Sequence, residues 1–246
     1  MKKLISILLI TTSITITAQD SIPKLGIEIG YGINTFSMHQ LNNDYIDLEI
    51  NSPLKFLEDR LENGKHIRIA TSYRFSTSFH LGLNLSHQTG FSHSKPEIPA
   101  VVDGQSVNRP GFYNVDVQCT TIGLNGWFDL SPIYLKVKRF SHGPEIEIGY
   151  GRSSFAQFIH FPESGMTNSV NRKYENWSLS YYTGLRLEYH LVNRLSRISI
   201  GTRIGYQFLN TGVLESYSGE SFPTQSGSLQ LDFSGMQGGI FIKISR

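Results

Sequence analysis

The hydrophobic positions of this chain recur mostly with a period of two, the spacing of a β-strand whose faces meet different surroundings. The clearest instance is Ile-Glu-Ile-Gly-Tyr-Gly, found at Ile27–Gly32 and again at Ile146–Gly151. In each copy Ile and Tyr take one face, and Glu and Gly take the other. A soluble sheet buries its apolar face and solvates a charge-rich one. Two glycines beside one carboxylate predict instead a crowded polar interior, with the Ile/Tyr face turned outward to lipid. The same alternation predicts eight strands, at about 24–36, 65–75, 79–88, 112–129, 145–155, 175–191, 196–209 and 228–244. In two of them the parity slips, near Thr120–Thr121 and near Ser234–Gly235, which predicts a β-bulge at each place. Ser52-Pro53 followed by a mixed apolar and charged run predicts a short helix over 52–61, with Ser52 as cap and Pro53 in the first turn. The stretch 131–143 reads either as an added strand or as a basic turn lying at a membrane surface.

The connections run long, short, long, intermediate, long, short, long. The long ones are 37–64, 89–111, 157–173 and 210–226; tight turns fall at Ser76-Thr77-Ser78 and Val192-Asn193-Arg194. An even strand number with long loops at one end and short turns at the other is the pattern of an outer-membrane barrel.

The first residues add a compartment. Lys2 and Lys3, an apolar run from Leu4 to about Ile16, and Thr17-Ala18-Gln19 read as a secretory signal peptide over 1–19, leaving 20–246 as one barrel domain. The formal charge of +2 falls to about zero without that leader, so there is no global basic signal for nucleic acid. Cys119 is the only cysteine among 246 residues, which excludes an internal disulfide framework. No later run reaches the ~18 apolar residues of a transmembrane helix. Aromatics reach 12%, with 12 Tyr and 15 Phe, which suits a barrel whose signal per strand is weak.

Over the whole mature length the chain resembles the outer-membrane protein β-barrel family, small porin-like barrels of the OmpA/OmpX type. The resemblance rests on the leader, the repeated hexapeptide, Gly-Leu-Asn-Gly-Trp at Gly123–Trp127, and a strand that ends the chain. It implies an all-β fold: an eight-stranded antiparallel up-and-down transmembrane barrel in the outer membrane of a Gram-negative bacterium. Long loops would be extracellular and short turns periplasmic. It further implies outer-membrane lipid and the barrel-insertion machinery as partners. The chain departs from such barrels at its end, Ile244-Ser245-Arg246, where an aromatic residue is usual and Phe241 is the nearest.

Candidate chemistry follows from the inward face. An eight-stranded barrel is just wide enough for side chains to fill. The assigned inward charges are Glu28, Asp116, Glu145, Glu147, Glu188 and Asp232 with Arg68, Arg74, Arg186, Arg203 and Lys243. Buried charges need partners. The expectation is therefore a polar lumen network, with Glu28, Arg68, Asp116, Glu147, Arg186, Glu188 and Arg203 at its heart and Arg203 approaching Glu28 or Glu147. Tyr31, Phe36, Tyr73, Phe75, Phe79, Trp127, Tyr150, Phe155, Trp177, Tyr189, Tyr206 and Phe208 are expected in interfacial girdles. For a lipid-hydrolysing alternative the candidates are His87, His93, Ser94 and His160, which form no triad recognisable from spacing. His87 and His93, six apart with no cysteine nearby, make a poor metal pair, and no cofactor motif is present. The expected role is structural or surface-interacting, with the four long loops as the place for an extracellular ligand. The alternatives are a lipid-modifying barrel enzyme, a narrow solute pore and a soluble lipocalin-like barrel.

Overall fold

The computed structural model describes residues 24–52, 55–102, 105–134, 139–162, 167–191 and 197–246. The expected leader at 1–19 and the expected turn at 192–194 lie outside the described residues. Eight long strands are β1 (Leu25–Thr35), β2 (Asn63–Arg74), β3 (Phe79–Ser94), β6 (Phe112–Phe128), β7 (Phe140–Pro162), β8 (Thr167–His190), β9 (Ile198–Phe208) and β12 (Gly235–Ser245). They pair antiparallel in chain order, and β1 closes on β12 from Gly26↔Ser245 to Asn34↔Gln237. At the meeting point Leu25 N donates to Arg246 O at 2.9 Å, and Arg246 N donates to Leu25 O at 2.6 Å. Closure leaves no free edge in the eight-strand ring.

One end carries the short turns and the strand ends Lys24 and Arg246; the other carries the long connections. At this loop end two small sheets are separate from the barrel ring: β4 (Glu97–Val102) with β5 (Gln105–Pro110), and the short pair β10 (Pro223–Thr224) with β11 (Gly227–Ser228). β3, β7 and β8 all run further than expected. The supposed loops at 89–111 and 157–173 are largely strand extension and hairpin, because β3–β6 and β7–β8 pairing continues beyond the apolar belt.

The expected helix over 52–61 is not formed among its described residues. Helical structure lies earlier, as α1 (His39–Leu41), a π-helical turn (Asn42–Ile46) and α2 (Asp47–Ile50). Burial decides this. Leu41 and Ile46 sit on the inward side of the helical segment, and the Asn42 amide clamps the returning chain through Leu61 N (2.9 Å) and Leu61 O (3.2 Å). Asn42 thereby meets both backbone groups of Leu61, as a neighbouring strand residue would. Residues 131–134 form a third short helix, α3 (Ser131–Tyr134); the Leu135–Lys138 part lies outside the described residues.

Neither expected bulge exists. The β3–β6 register runs without interruption from Phe79↔Phe128 to Ser94↔Tyr113, and β6–β7 from Phe112↔His160 to Trp127↔Glu145. Odd positions of β6 point inward along its whole length: Tyr113, Val115, Val117 and Cys119, then Thr121, Asn125 and Trp127. What changes is the character of the interior, from apolar at the loop end to polar at the turn end. The same change explains the C-terminal slip. Leu229, Leu231 and Phe233 are buried in the connection that precedes β12, which begins only at Gly235.

Outside, every long strand presents apolar side chains, with Ile33 68%, Ile240 67% and Leu185 63% exposed. A monomer in water does not carry such a girdle. A closed barrel in hydrocarbon does, because its backbone groups are satisfied internally and its outer face matches the lipid. Tyr31, Tyr73, Phe75, Phe79, Tyr150, Trp177 and Phe208 belong to this outer surface. Phe36, Trp127 and Phe155, also expected there, are buried inside, because their inward parity and not their place near a strand end sets their direction.

Candidate functional site: a layered lumen

The inward side chains stack in three layers. Nearest the turn end is an ionic layer. Glu28 comes from β1, Arg68 from β2, Glu145 and Glu147 from β7, Arg186 and Glu188 from β8, Arg203 from β9 and Lys243 from β12. All eight are buried. Arg68 pairs with Glu28 and reaches Glu147 at 2.6 Å and Glu145 at 3.3 Å. Arg186 bridges Glu28 at 2.6 Å, Glu188 at 3.2 Å and Glu145 at 3.4 Å. Arg203 Nη1 lies 2.8 Å from Glu147 Oε1, and Lys243 Nζ lies 3.2 Å from Glu188 Oε1. Four carboxylates thus meet four cations, and each guanidinium serves at least two carboxylates. Such connectivity is what lets a desolvated ion set break even against its hydration cost.

The inward glycines make the layer fit. A Cβ on Gly201 would strike the Phe241 ring, and one on Gly184 would strike Tyr182. Those two rings carry the guanidinium carbons of Arg186 and Arg203 at 4.0 Å from their centroids, a cation–π support for each. At the turn end His80 stacks on Trp127 at 4.4 Å.

Above the ions lies a layer of amides and hydroxyls. Asn34 Nδ2 donates to Gln88 Oε1 at 2.7 Å, Gln237 donates to Gln207, and Ser86 and Thr121 share a hydrogen bond of 2.7 Å. The free space left among His66, Tyr182 and Arg203 is about 10 Å³, room for about one water.

The third layer is an apolar cap at the loop end. It packs Val115, Val117, Phe155 and Tyr174 from the barrel wall against Met38, Leu41, Ile46, Leu57 and Leu61 of the first connection. Leu214, Phe222, Leu229, Leu231 and Phe233 of the last connection complete it. Tyr45 fastens the helical segment to the wall, sharing hydrogen bonds with Tyr113 and Gln157. Burial pushes the Tyr45 phenol well above its ordinary value, and burial likewise raises the Glu49 carboxyl on α2.

Of the residues singled out in the sequence, Glu28, Arg68, Glu147, Arg186, Glu188 and Arg203 lie together in the ionic layer, with Glu145 and Lys243. Asp116 does not. It is on the outward face of β6, near the loop end, where its Oδ2 accepts from Gln118 at 3.2 Å. Val115 and Val117 take the inward face in this half of β6, which leaves the alternate position, Asp116, on the outer one. Asp232 also lies outside the layer; its carboxylate accepts from Ser234 N at 2.9 Å in the last connection. The histidines are dispersed. His87 Nδ1 is 2.8 Å from Thr120 Oγ1. Ser94 points inward and donates to Phe56 O, whereas His93 points outward.

Sequence spacing did not reveal two serine–histidine contacts at the turn end, Ser141 Oγ with His190 Nε2 at 3.0 Å and Ser131 Oγ with His142 Nδ1 at 3.1 Å. Ser141 is 1% exposed and Ser131 0%, so neither hydroxyl is open to a substrate.

No family model matches the chain, and no curated protein matches it. Among solved structures it is similar to the outer membrane protein OprG of Pseudomonas aeruginosa, at 12% identity and a TM-score of 0.45, over 93% of this chain and 100% of that one. It is similar to Ail of Yersinia pestis, solved with the heparin analogue sucrose octasulfate, at 14% identity and 0.40, over 92% and 99%. It is similar to Neisserial surface protein A at 8% identity and 0.42, over 90% and 97%. The architecture itself stands on the strand pairing and the apolar exterior: an eight-stranded, antiparallel, up-and-down β-barrel of the outer-membrane type.

Proposed function

We propose that this chain is a non-enzymatic barrel of a Gram-negative outer membrane, exported by its leader, and that its lumen is a plug rather than a path. The carrying observation is the ionic layer, in which eight buried charges from six strands pair across the lumen. A solvated pore keeps its charged side chains hydrated; here their partners are one another. The apolar cap adds a second closure above it. A plugged barrel offers its environment an apolar belt for lipid and a folded loop end for contact, so its role is structural or surface-interacting. The loop-end connections 37–64, 89–111, 157–173 and 210–226 are then where an extracellular ligand is met.

Planar-bilayer recording tests the plug. The purified barrel, shown to be folded by heat-modifiable gel mobility and recovered in the outer-membrane fraction, is expected to add no steady conductance to a bare bilayer. Regular unitary currents would replace the plug with the narrow-pore reading.

A further inference from the structure

The outward face of β3, β6 and β7 does not end where the lipid belt ends. Leu85, Ile122 and Tyr150 form one apolar rung of that belt, across the pairs Leu85↔Ile122 and Ile122↔Tyr150. The next outward rungs are polar: His87, Thr120 and Arg152, then Thr89, Gln118 and Ser154. Higher still, apolar surface returns. Phe91 is 57%, Phe112 44% and Phe158 41% exposed. Asp116 stands across from Phe91, and Asn114 stands between His93 and Phe158. These side chains, with Lys95 at the rim 5.5 Å from the Phe112 ring, line an open basin of about 460 Å³.

Bilayer burial does not account for these rings. Asp116 is six residues above Ile122 on β6. That is about 20 Å of strand at ~3.3 Å per residue, or about 15 Å of height at a tilt of about 40°. A phospholipid headgroup layer is only about 5–8 Å thick. The basin therefore lies above headgroups of ordinary size, and it faces sideways, along the membrane plane. A molecule that meets it stands beside the barrel and reaches higher than a phospholipid.

We propose that this basin binds the saccharide of a glycolipid seated in the adjoining leaflet. The chemistry matches at both kinds of sugar surface. A pyranose shows a face of C–H groups, which suits the electron-rich faces of Phe91, Phe112 and Phe158. It also shows edges of paired hydroxyls, which suit a carboxylate that accepts and an amide that both donates and accepts, Asp116 and Asn114. The basin holds these polar groups at its centre and the aromatic rings around them. The site rests on the outer-membrane reading above.

The test uses the full-length barrel in detergent micelles, with heat-modifiable mobility confirming its fold, and native mass spectrometry as readout. The probes are a rough-type lipopolysaccharide, the lipid A derived from it without sugars, and the released core oligosaccharide. The barrel is expected to hold the sugar-bearing lipid at least about tenfold more tightly than lipid A, a difference of about 1.4 kcal/mol. The double variant Asn114→Ala/Asp116→Ala, altered only on the outer face, is expected to bring the two lipids within about twofold. Equal retention of both lipids by the wild-type barrel overturns the site, and so does free oligosaccharide bound as tightly as the whole lipid. A dimer that Phe158→Ala dissolves, with no preference for sugar, overturns it by giving the basin to a second copy. Those outcomes leave a folded barrel in its micelle; a chain found only in the aqueous fraction would remove the membrane reading itself.

Discussion

At the scale of single residues, Arg203 shows how the lumen is balanced. Its guanidinium lies 2.8 Å from Glu147 and rests on Tyr182, while Arg68 reaches Glu147 from the other side. Arg203→Met removes one of four cations and leaves four buried carboxylates. The expected cost is about 3–5 kcal/mol, the range for stripping one partner from a buried ion pair. Urea unfolding in micelles, followed by tryptophan fluorescence, measures it. Adding Glu147→Leu is expected to restore most of the loss, because the deficit is an unmatched charge and not a missing contact. A double variant as weak as the single one would mean that packing around Arg203 dominates. Much of this layer was legible in the sequence, because inward parity in the turn-end half coincides with charge. The place of Asp116 is not legible there, because apolar side chains face outward at Ile122 and Leu124 but inward at Val115 and Val117.

At the scale of elements, the helical segment 39–50 closes the loop end. Cys119 reports on it from beneath, at 0% exposure. A maleimide is expected to leave Cys119 unmodified in the folded protein. Tyr45→Ala, which removes the hydroxyl shared with Tyr113 and Gln157, is expected to raise its labelling rate at least about tenfold if opening limits access. Labelling of the wild type at the rate of a small thiol would mean that the cap does not seal.

Glu49 adds a pH dependence. Burial raises its pKa above the usual carboxylate value of about 4.3. The closed cap therefore favours the protonated acid, and this contribution is fully present below the unfolded value and lost as pH rises through the folded one. Thiol reactivity also rises with pH, so the measure is a ratio. The wild-type rate divided by the Glu49→Gln rate is expected to climb through the acid range; a flat ratio would clear Glu49 of the effect. The helical segment itself was hidden in the sequence. It has no side-chain N-cap, whereas Ser52-Pro53 carries a strong start signal; tertiary burial of Leu41 and Ile46 outweighed that local cue.

At the scale of the whole molecule, two closures of different chemistry stand in series. Neutralising part of the ionic layer leaves the apolar cap intact, and displacing the cap leaves the ions. Neither Arg203→Met nor Tyr45→Ala alone is expected to make the barrel conduct in a planar bilayer, and steady current from either would show that one closure carries the seal unaided. The ring of eight strands was readable because lipid enforces one outward character on every strand over the height of the belt. Above the belt that pressure ends. There β6 and the run 229–233 carry apolar side chains inward, as a water-facing protein does, and local patterning no longer separates an extended strand from a loop.

The first and last connections lead directly out of β1 and β12, the two strands that close the ring. They continue to hold one another beyond it: Ser37 N donates to Ser234 O at 2.9 Å, Met38 N to Asp232 O at 3.2 Å, and Phe36 meets Phe233 edge-on at 5.3 Å. The seam between the chain's two ends is thus stitched past the rim by segments almost 200 residues apart in the chain. Lateral opening of this seam must therefore break these contacts as well as the β1–β12 ladder.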